Sequence, residues 1–204
     1  MHEILNRNLC YLEKRSQALA NRLGEMSPDT SLELTNAASG DLTAIKYSGD
    51  GSHHFLHSRI DPRREAKIWT DNQCVIMPSL VIIGIGLAYH VFELLKRCGT
   101  VEKAYLVETD EGLFRLAMMV HDFSSLMQDT SVHFLIGASL LPSIPAIIST
   151  TLAQPFSCHV FPPVVSSSPD IYKSVRYLVE KHLCALRLAE DGGVERLLNQ
   201  LGAP

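Results

Sequence analysis

The chain has 204 residues, 46% of them apolar and 20% charged, with a formal net charge of −4 at pH 7. This composition suits a folded protein with a buried core and excludes a disordered chain. It also lacks the basic bias of a nucleic-acid binder and any Lys/Arg-rich amphipathic stretch for a membrane surface, so neither partner is expected.

Cys10, Cys74, Cys98, Cys158 and Cys184 are scattered with no C-x-x-C pair, the pattern of free thiols in a reducing compartment. Glu3, Arg7, Glu13, Lys14 and Arg15 interrupt the first apolar pattern, which excludes a signal peptide. The longest apolar run, 75–89, is broken by Pro78 and is too short to cross a bilayer. The expectation is a cytoplasmic protein.

Leu5, Leu9, Leu12, Leu19 and Leu23 recur at spacings of three, four and seven and predict one amphipathic helix ending at Gly24, with Ser16 in a gap of the stripe. That seam suits packing on the protein's own body, and it also admits a homo-oligomer. Residues 32–37, 42–48 and 53–58 are short and partly alternating, with turn material between them. They predict a small antiparallel meander whose second break, Gly49-Asp50-Gly51, favours a hairpin. Asp61-Pro62 then opens a helix to about Asn72, because Asp caps an orphan amide and proline at the first helical position loses no hydrogen bond.

From residue 80 strand and helix alternate. Strands are predicted at 80–84, 104–108, 132–137 and 158–161, with helices at 88–98, 111–120 and 145–153 between them. The strands are nearly all apolar, as expected for a mostly parallel sheet covered by helices on both faces. Residues 161–169, rich in Pro and Ser, read as a linker. A helix over 170–189 follows, stopped by Asp191-Gly192-Gly193, and a short helix carrying Val194, Leu197, Leu198 and Leu201 comes last. The predicted units are an N-terminal helix with a meander (1–60), an α/β core (61–165) and C-terminal helices (166–204).

The segments with chemical content are few. Gly84-Ile85-Gly86-Leu87-Ala88 joins a strand to a helix, the setting of a glycine loop that binds a cofactor. Glu108 ends the next strand 22 residues past Gly86, with Asp110 two further on. A carboxylate there suits the ribose of a dinucleotide or of S-adenosylmethionine. Tyr89 stands where a dinucleotide loop has its third glycine, and no acidic residue precedes Gly84. Gly84, Gly86, Ala88, Glu108 and Asp110 are thus candidate ligand contacts. The competing explanation is a tight turn that needs glycine for geometry alone.

Arg63 and Arg64 fall in the first turn of the Asp61-Pro62 helix, where the macrodipole disfavours cations by up to about 1 kcal/mol. With Arg59 they suit a phosphate or carboxylate gripped by guanidinium forks; pairing with Asp61 and Glu65 in a structural network is the alternative. Nine histidines show no metal spacing: His53, His54 and His57 form the one cluster, with His53 and His57 on one face of a strand. His90 and Glu93 lie at i, i+3 on the helix after the glycine turn, but His90 is as easily a helix-surface residue. No metal site and no nucleophile–base constellation is expected.

Three motifs carry a resemblance. His57-Ser-Arg-Ile-Asp-Pro-Arg-Arg-Glu-Ala66, Ile83-Gly-Ile-Gly-Leu-Ala-Tyr-His90 and Leu106-Val-Glu-Thr-Asp-Glu-Gly-Leu-Phe-Arg-Leu-Ala117 resemble the N-terminal Rossmann-like domain of the Maf (motility accessory factor) flagellin glycosyltransferases. In that family an H-S-x-[YI]-D-P-x-x-E-A stretch precedes a G-x-G-x-G-Y-H turn and an E-P-D/E-x-D strand end. Ala88 replaces the last glycine here, and Thr109 the usual proline. The order and spacing match over about residues 1–190. The resemblance implies a Rossmann-like α/β fold and a part in attaching nonulosonic sugars to flagellin. It also implies that the transfer chemistry sits in a following domain, related to one in an archaeal pterin diphosphokinase, which would begin where this chain stops.

The leading expectation is therefore an accessory or binding module whose partners are that catalytic domain or flagellin, with a nucleotide-sugar as a ligand. The alternatives are a methyltransferase-like enzyme using S-adenosylmethionine and a degenerate Rossmann-like interaction domain.

Overall fold

The computed structural model describes residues 1–73, 79–144, 147 and 156–190. The helix expected at 145–153 and the one carrying Val194 to Leu201 lie outside the described residues, as does the stop at Asp191-Gly192-Gly193.

The N-terminal stripe forms two helices rather than one, α1 (His2–Glu13) and α2 (Gln17–Glu25). Ser16 is the reason. Its backbone is extended, at φ −156°, and its hydroxyl accepts the Leu19 amide at the start of α2. The gap in the leucine stripe thus marks a helix cap. The two helices still bury the same leucines, Leu5, Leu12, Leu19 and Leu23, against the central sheet.

The meander consists of β1 (Leu32–Asn36), β2 (Leu42–Tyr47) and β3 (His53–Phe55), antiparallel in that order. α3 (Pro62–Asp71) follows, capped by Asp61, whose carboxylate accepts the Arg64 amide at 2.9 Å. The alternating part comprises β4 (Ser79–Ile83), α4 (Tyr89–Cys98), β5 (Lys103–Glu108), α5 (Glu111–Val120), the short α6 (Ser124–Gln128), β6 (Val132–Ile136), a 3-10 turn over Ala138–Ser143 and β7 (Ser157–Val160). Its four strands are all parallel, in the spatial order β6-β5-β4-β7. The result is a mixed α/β protein of a general Rossmann-like arrangement, with flanking helices.

Side chains alternate across the sheet, as the strand period requires. Leu80 and Ile82 join the core beneath α1, α2, α4 and α5; Val81 and Ile83 join the opposite core, shared with the meander and the last helix. All four are fully buried, each contributing about 1.5–3 kcal/mol.

Residues 161–169 do not form an extended linker. They fold into α7 (Pro162–Val165) and a serine turn that leads into α8 (Pro169–Glu190). Proline at the first helical position starts α7, and Phe161, Val164 and Tyr172 are buried in the second core.

Strand order decides where a loop crevice forms. The chain leaves β4 toward β5 on one side and returns to β7 on the other, so the carboxyl ends of β4 and β7 flank the switch point where open α/β sheets commonly receive ligands. In this protein α7 sits at that point.

Candidate functional site

The glycine turn lies at the carboxyl end of β4. Gly84 and Gly86 have φ of +86° and +53°, and Ala88, at +69°, is the one non-glycine residue with positive φ among the described residues. A Cβ on Gly86 would lie 2.6 Å from Val164 Cγ2 and 2.7 Å from His57 Nε2. A Cβ on Gly84 would lie 3.2 Å from Val164. Glycine is required here because α7 and His57 press on the turn.

The amides of the turn are bound within the protein. Glu108, wholly buried at the end of β5, accepts Ile85 N–H at 3.0 Å and Gly86 N–H at 3.1 Å through Oε2. Its Oε1 accepts the Asp110 amide at 3.1 Å and the Tyr172 hydroxyl of α8. Burial raises the pKa of Glu108 while these donors oppose the rise. His57 Nε2 accepts Leu87 N–H at 2.9 Å, which puts the ring proton on Nδ1, 3.4 Å from Glu65 Oε2. His90 donates from Nε2 to the Gly84 carbonyl at 2.9 Å and stacks on Phe161, with ring centroids 3.7 Å apart. Burial lowers the pKa of both histidines, His90 well below the usual histidine value.

The rest of the first motif holds this arrangement in place. Ser58 Oγ accepts the Ile60 and Asp61 amides, Asp61 caps α3, and Glu65 Oε2 accepts Ser58 N–H at 2.9 Å while facing His57. Ala66 is buried. Tyr89 donates to the Leu42 carbonyl and so ties α4 to the meander. The three motifs noted in the sequence therefore meet around one turn.

Two placements differ from expectation. His57 lies beyond β3 and turns inward, so it shares no strand face with His53. His90 is fully buried under Phe161 and Trp69 rather than on a helix surface.

Of the expected ligand contacts, the structure gathers Gly84, Gly86, Ala88 and Glu108 at this turn. Any ligand reaching the turn amides has to displace Glu108 from them. Asp110 caps α5 through Oδ1, accepting Leu113 N–H, and pairs through Oδ2 with Lys46 Nζ at 2.6 Å. Lys46 also donates to Ser168, fastening the meander to the turn before α8.

The arginines separate. Arg63 and Arg64 line a cleft of about 670 Å³ between the start of α3, α4 and the corner after α5. Arg59 is not among its lining residues; its guanidinium lies over the Phe55 ring at 4.8 Å. Arg63 pairs with Asp41 at 2.8 Å and lies 5.7 Å from the Tyr89 ring centroid. Arg64 is exposed and makes no side-chain hydrogen bond or ion pair among the described residues, and neither do Lys67 and Lys96, which also line the cleft.

Tyr89, Phe92 and His121 supply an aromatic wall, with His121 edge-on to Tyr89 at 4.6 Å. The acidic groups of the cleft are Asp61, Glu93 and Asp122; Asp61 is engaged in its cap, and Asp122 pairs with Arg7 at 2.9 Å.

The composition of the cleft went unforeseen beyond its two arginines, because Asn8 assembles it from distant parts of the chain. This fully buried α1 side chain donates to the Met118 and His121 carbonyls and accepts Phe123 N–H, fixing the corner that carries His121. A polar residue inside the leucine stripe was the available signal. Among the described residues no group of three or more His, Cys, Asp or Glu side chains could hold a metal ion, and no helix is long and apolar enough to cross a membrane.

No curated protein matches the chain. A family model, the glycosyltransferase Maf N-terminal domain, matches residues 34–139, more than half of the sequence. That span runs from β1 to the start of the 3-10 turn and contains His57, the glycine turn, Glu108 and the arginines of the cleft. The chain thus belongs to the family of the glycosyltransferase Maf N-terminal domain.

Proposed function

We propose that residues 1–204 are the accessory binding module of a Maf-type system that attaches nonulosonic sugars to flagellin, with the transfer chemistry supplied by a separate catalytic domain. The observation that carries this reading is the family match over residues 34–139, which includes all three motifs in order. The geometry adds support: the motifs are spent on building a rigid turn, while Arg63 and Arg64 are left at an open cleft. The partner of the module is the transferase domain or flagellin.

The test is the intact mass of flagellin from source cells with and without the gene for this chain. Loss of the glycan mass increments on deletion, restored by complementation, is the expected result; an unchanged flagellin mass overturns the proposal.

A second reading, an α/β unit that serves in protein interaction alone, is favoured by one observation: Val164 and His57 fill the space beside Gly86. On that reading a complementing gene with the cleft arginines replaced still restores the glycan mass.

A further inference from the structure

We infer that the cleft between α3 and α4 binds a small organic anion attached to a ring, the anion on Arg64 and the ring against Phe92. The inference deepens the reading of the chain as a binding module by naming the ligand chemistry.

It rests first on unbalanced charge. Of the four cations lining the cleft, Arg63 alone has an acidic partner; Arg64, Lys67 and Lys96 have none among the described residues. Of the three carboxylates there, Asp61 and Asp122 are already engaged, leaving Glu93. The two arginines occupy the first turn of α3, where Asp61 caps the helix and Glu65 faces His57, so neither carboxylate forms an ion pair with Arg64. An arginine fork matches a carboxylate or phosphate in two-pronged geometry, which selects these groups over halide.

The second support is the wall. Phe92, half-buried, gives apolar ring surface to which the buried Tyr89 adds little, and a ring-bearing ligand covers more of it than a bare ion does. His121 lines the same cleft, edge-on to Tyr89. Burial lowers the His121 pKa to about 4, so the ring is neutral near pH 7 and adds no cation to the cleft.

The anion can come from a nucleotide or from a sugar acid, and titration separates the sources. Backbone amide NMR of the full chain is followed with adenosine 5′-monophosphate, glucuronate and inorganic phosphate as probes. Saturable shifts at Arg64, Tyr89, Lys96 and His121 with either ring-bearing probe, tighter than with phosphate, are the expected result. Arg64→Ala should weaken that binding about tenfold or more, the usual loss for a charge-assisted contact, with an unchanged spectrum elsewhere. Lys14→Ala, outside the cleft, should leave it unchanged. No saturable shift with either ring-bearing probe, binding no tighter than phosphate, shifts centred on Gly84 and Gly86, or an Arg64→Ala protein that binds as before each overturns the inference. Any of those results leaves the flagellin-mass test intact, so the two proposals fail separately.

Discussion

Replacing Gly86 by alanine probes how closely the turn is held. Two penalties combine. An alanine at φ +53° costs about 1–2 kcal/mol in backbone strain, offset by about 0.4–1 kcal/mol because alanine restricts the unfolded chain. The new methyl would also lie 2.6 Å from Val164 Cγ2 and 2.7 Å from His57 Nε2, so one of them must move. Overpacking of this kind costs about 1–3 kcal/mol, and a displaced His57 also orphans the Leu87 amide. The net loss is about 2–4 kcal/mol.

Gly40 supplies the comparison. Its φ is +87°, but a Cβ there meets nothing within 4 Å, so Gly40→Ala carries the strain without the collision. Urea unfolding of both variants isolates the packing contribution. Gly86→Ala should be less stable than Gly40→Ala by about 2 kcal/mol or more. Equal losses in the two variants refute the claim that α7 and His57 press on the turn.

Further outcomes follow from the same geometry. Glu108→Gln in its better orientation turns an NH₂ toward the Asp110 amide, while the Tyr172 hydroxyl rotates to accept from it, and should cost about 1–3 kcal/mol in a urea melt; a loss below about 1 kcal/mol speaks against the four-donor arrangement. Ala88→Gly relieves about 1–2 kcal/mol of strain but gives up a buried methyl worth about 0.8 kcal/mol and about 0.4–1 kcal/mol of chain entropy. Stability should therefore stay nearly level, and a gain of about 2 kcal/mol shows that the methyl is not packed.

His57 and His90 are buried and neutral, with pKa values lowered from 6.5, so below that pH the unfolded chain binds protons that the folded protein refuses. Stability should be full above about pH 6.5 and fall on acidification by up to about 1.4 kcal/mol per unit for each ring; denaturant melts at pH 7.5 and 5.5 with no difference contradict this.

Much of the α/β order was legible because its strands are continuous apolar runs and its helices have caps at Asp61 and Asp110. Two local errors have physical causes. Ser16 sat in the gap of a leucine stripe, and one residue out of phase reads equally as a tolerated polar position or as a cap. Pro162-Pro163 followed by serines looks like a linker by composition, yet proline is welcome at the start of a helix, and α7 uses it there. The five-residue α6 is too short to show periodicity and was missed.

At the site, residue types were read correctly more often than their partners. A carboxylate 22 residues past a glycine turn accepts N–H and O–H donors, and spacing cannot say whether those donors belong to a ribose or to the turn itself. Here Glu108 takes Ile85, Gly86 and Tyr172, the last contributed by a helix 64 residues away. The burial of His90 could not be read, because its own helix does not reveal that Phe161 covers it. Arg63 and Arg64 could be identified from their position in a first turn. The His121 end of the aromatic wall opposite them depends on Asn8, more than a hundred residues from the corner it holds.

Native-state hydrogen exchange of the Ile85, Gly86 and Leu87 amides tests the closure of the turn most directly. These amides lie outside the strand and the helix they connect, and they are bonded to Glu108 and His57. They should exchange only through global unfolding, with the same free energy as the most protected amides of β4 and β5. Exchange at the rate of an open loop, while those strands stay protected, contradicts a turn held shut by its own motifs.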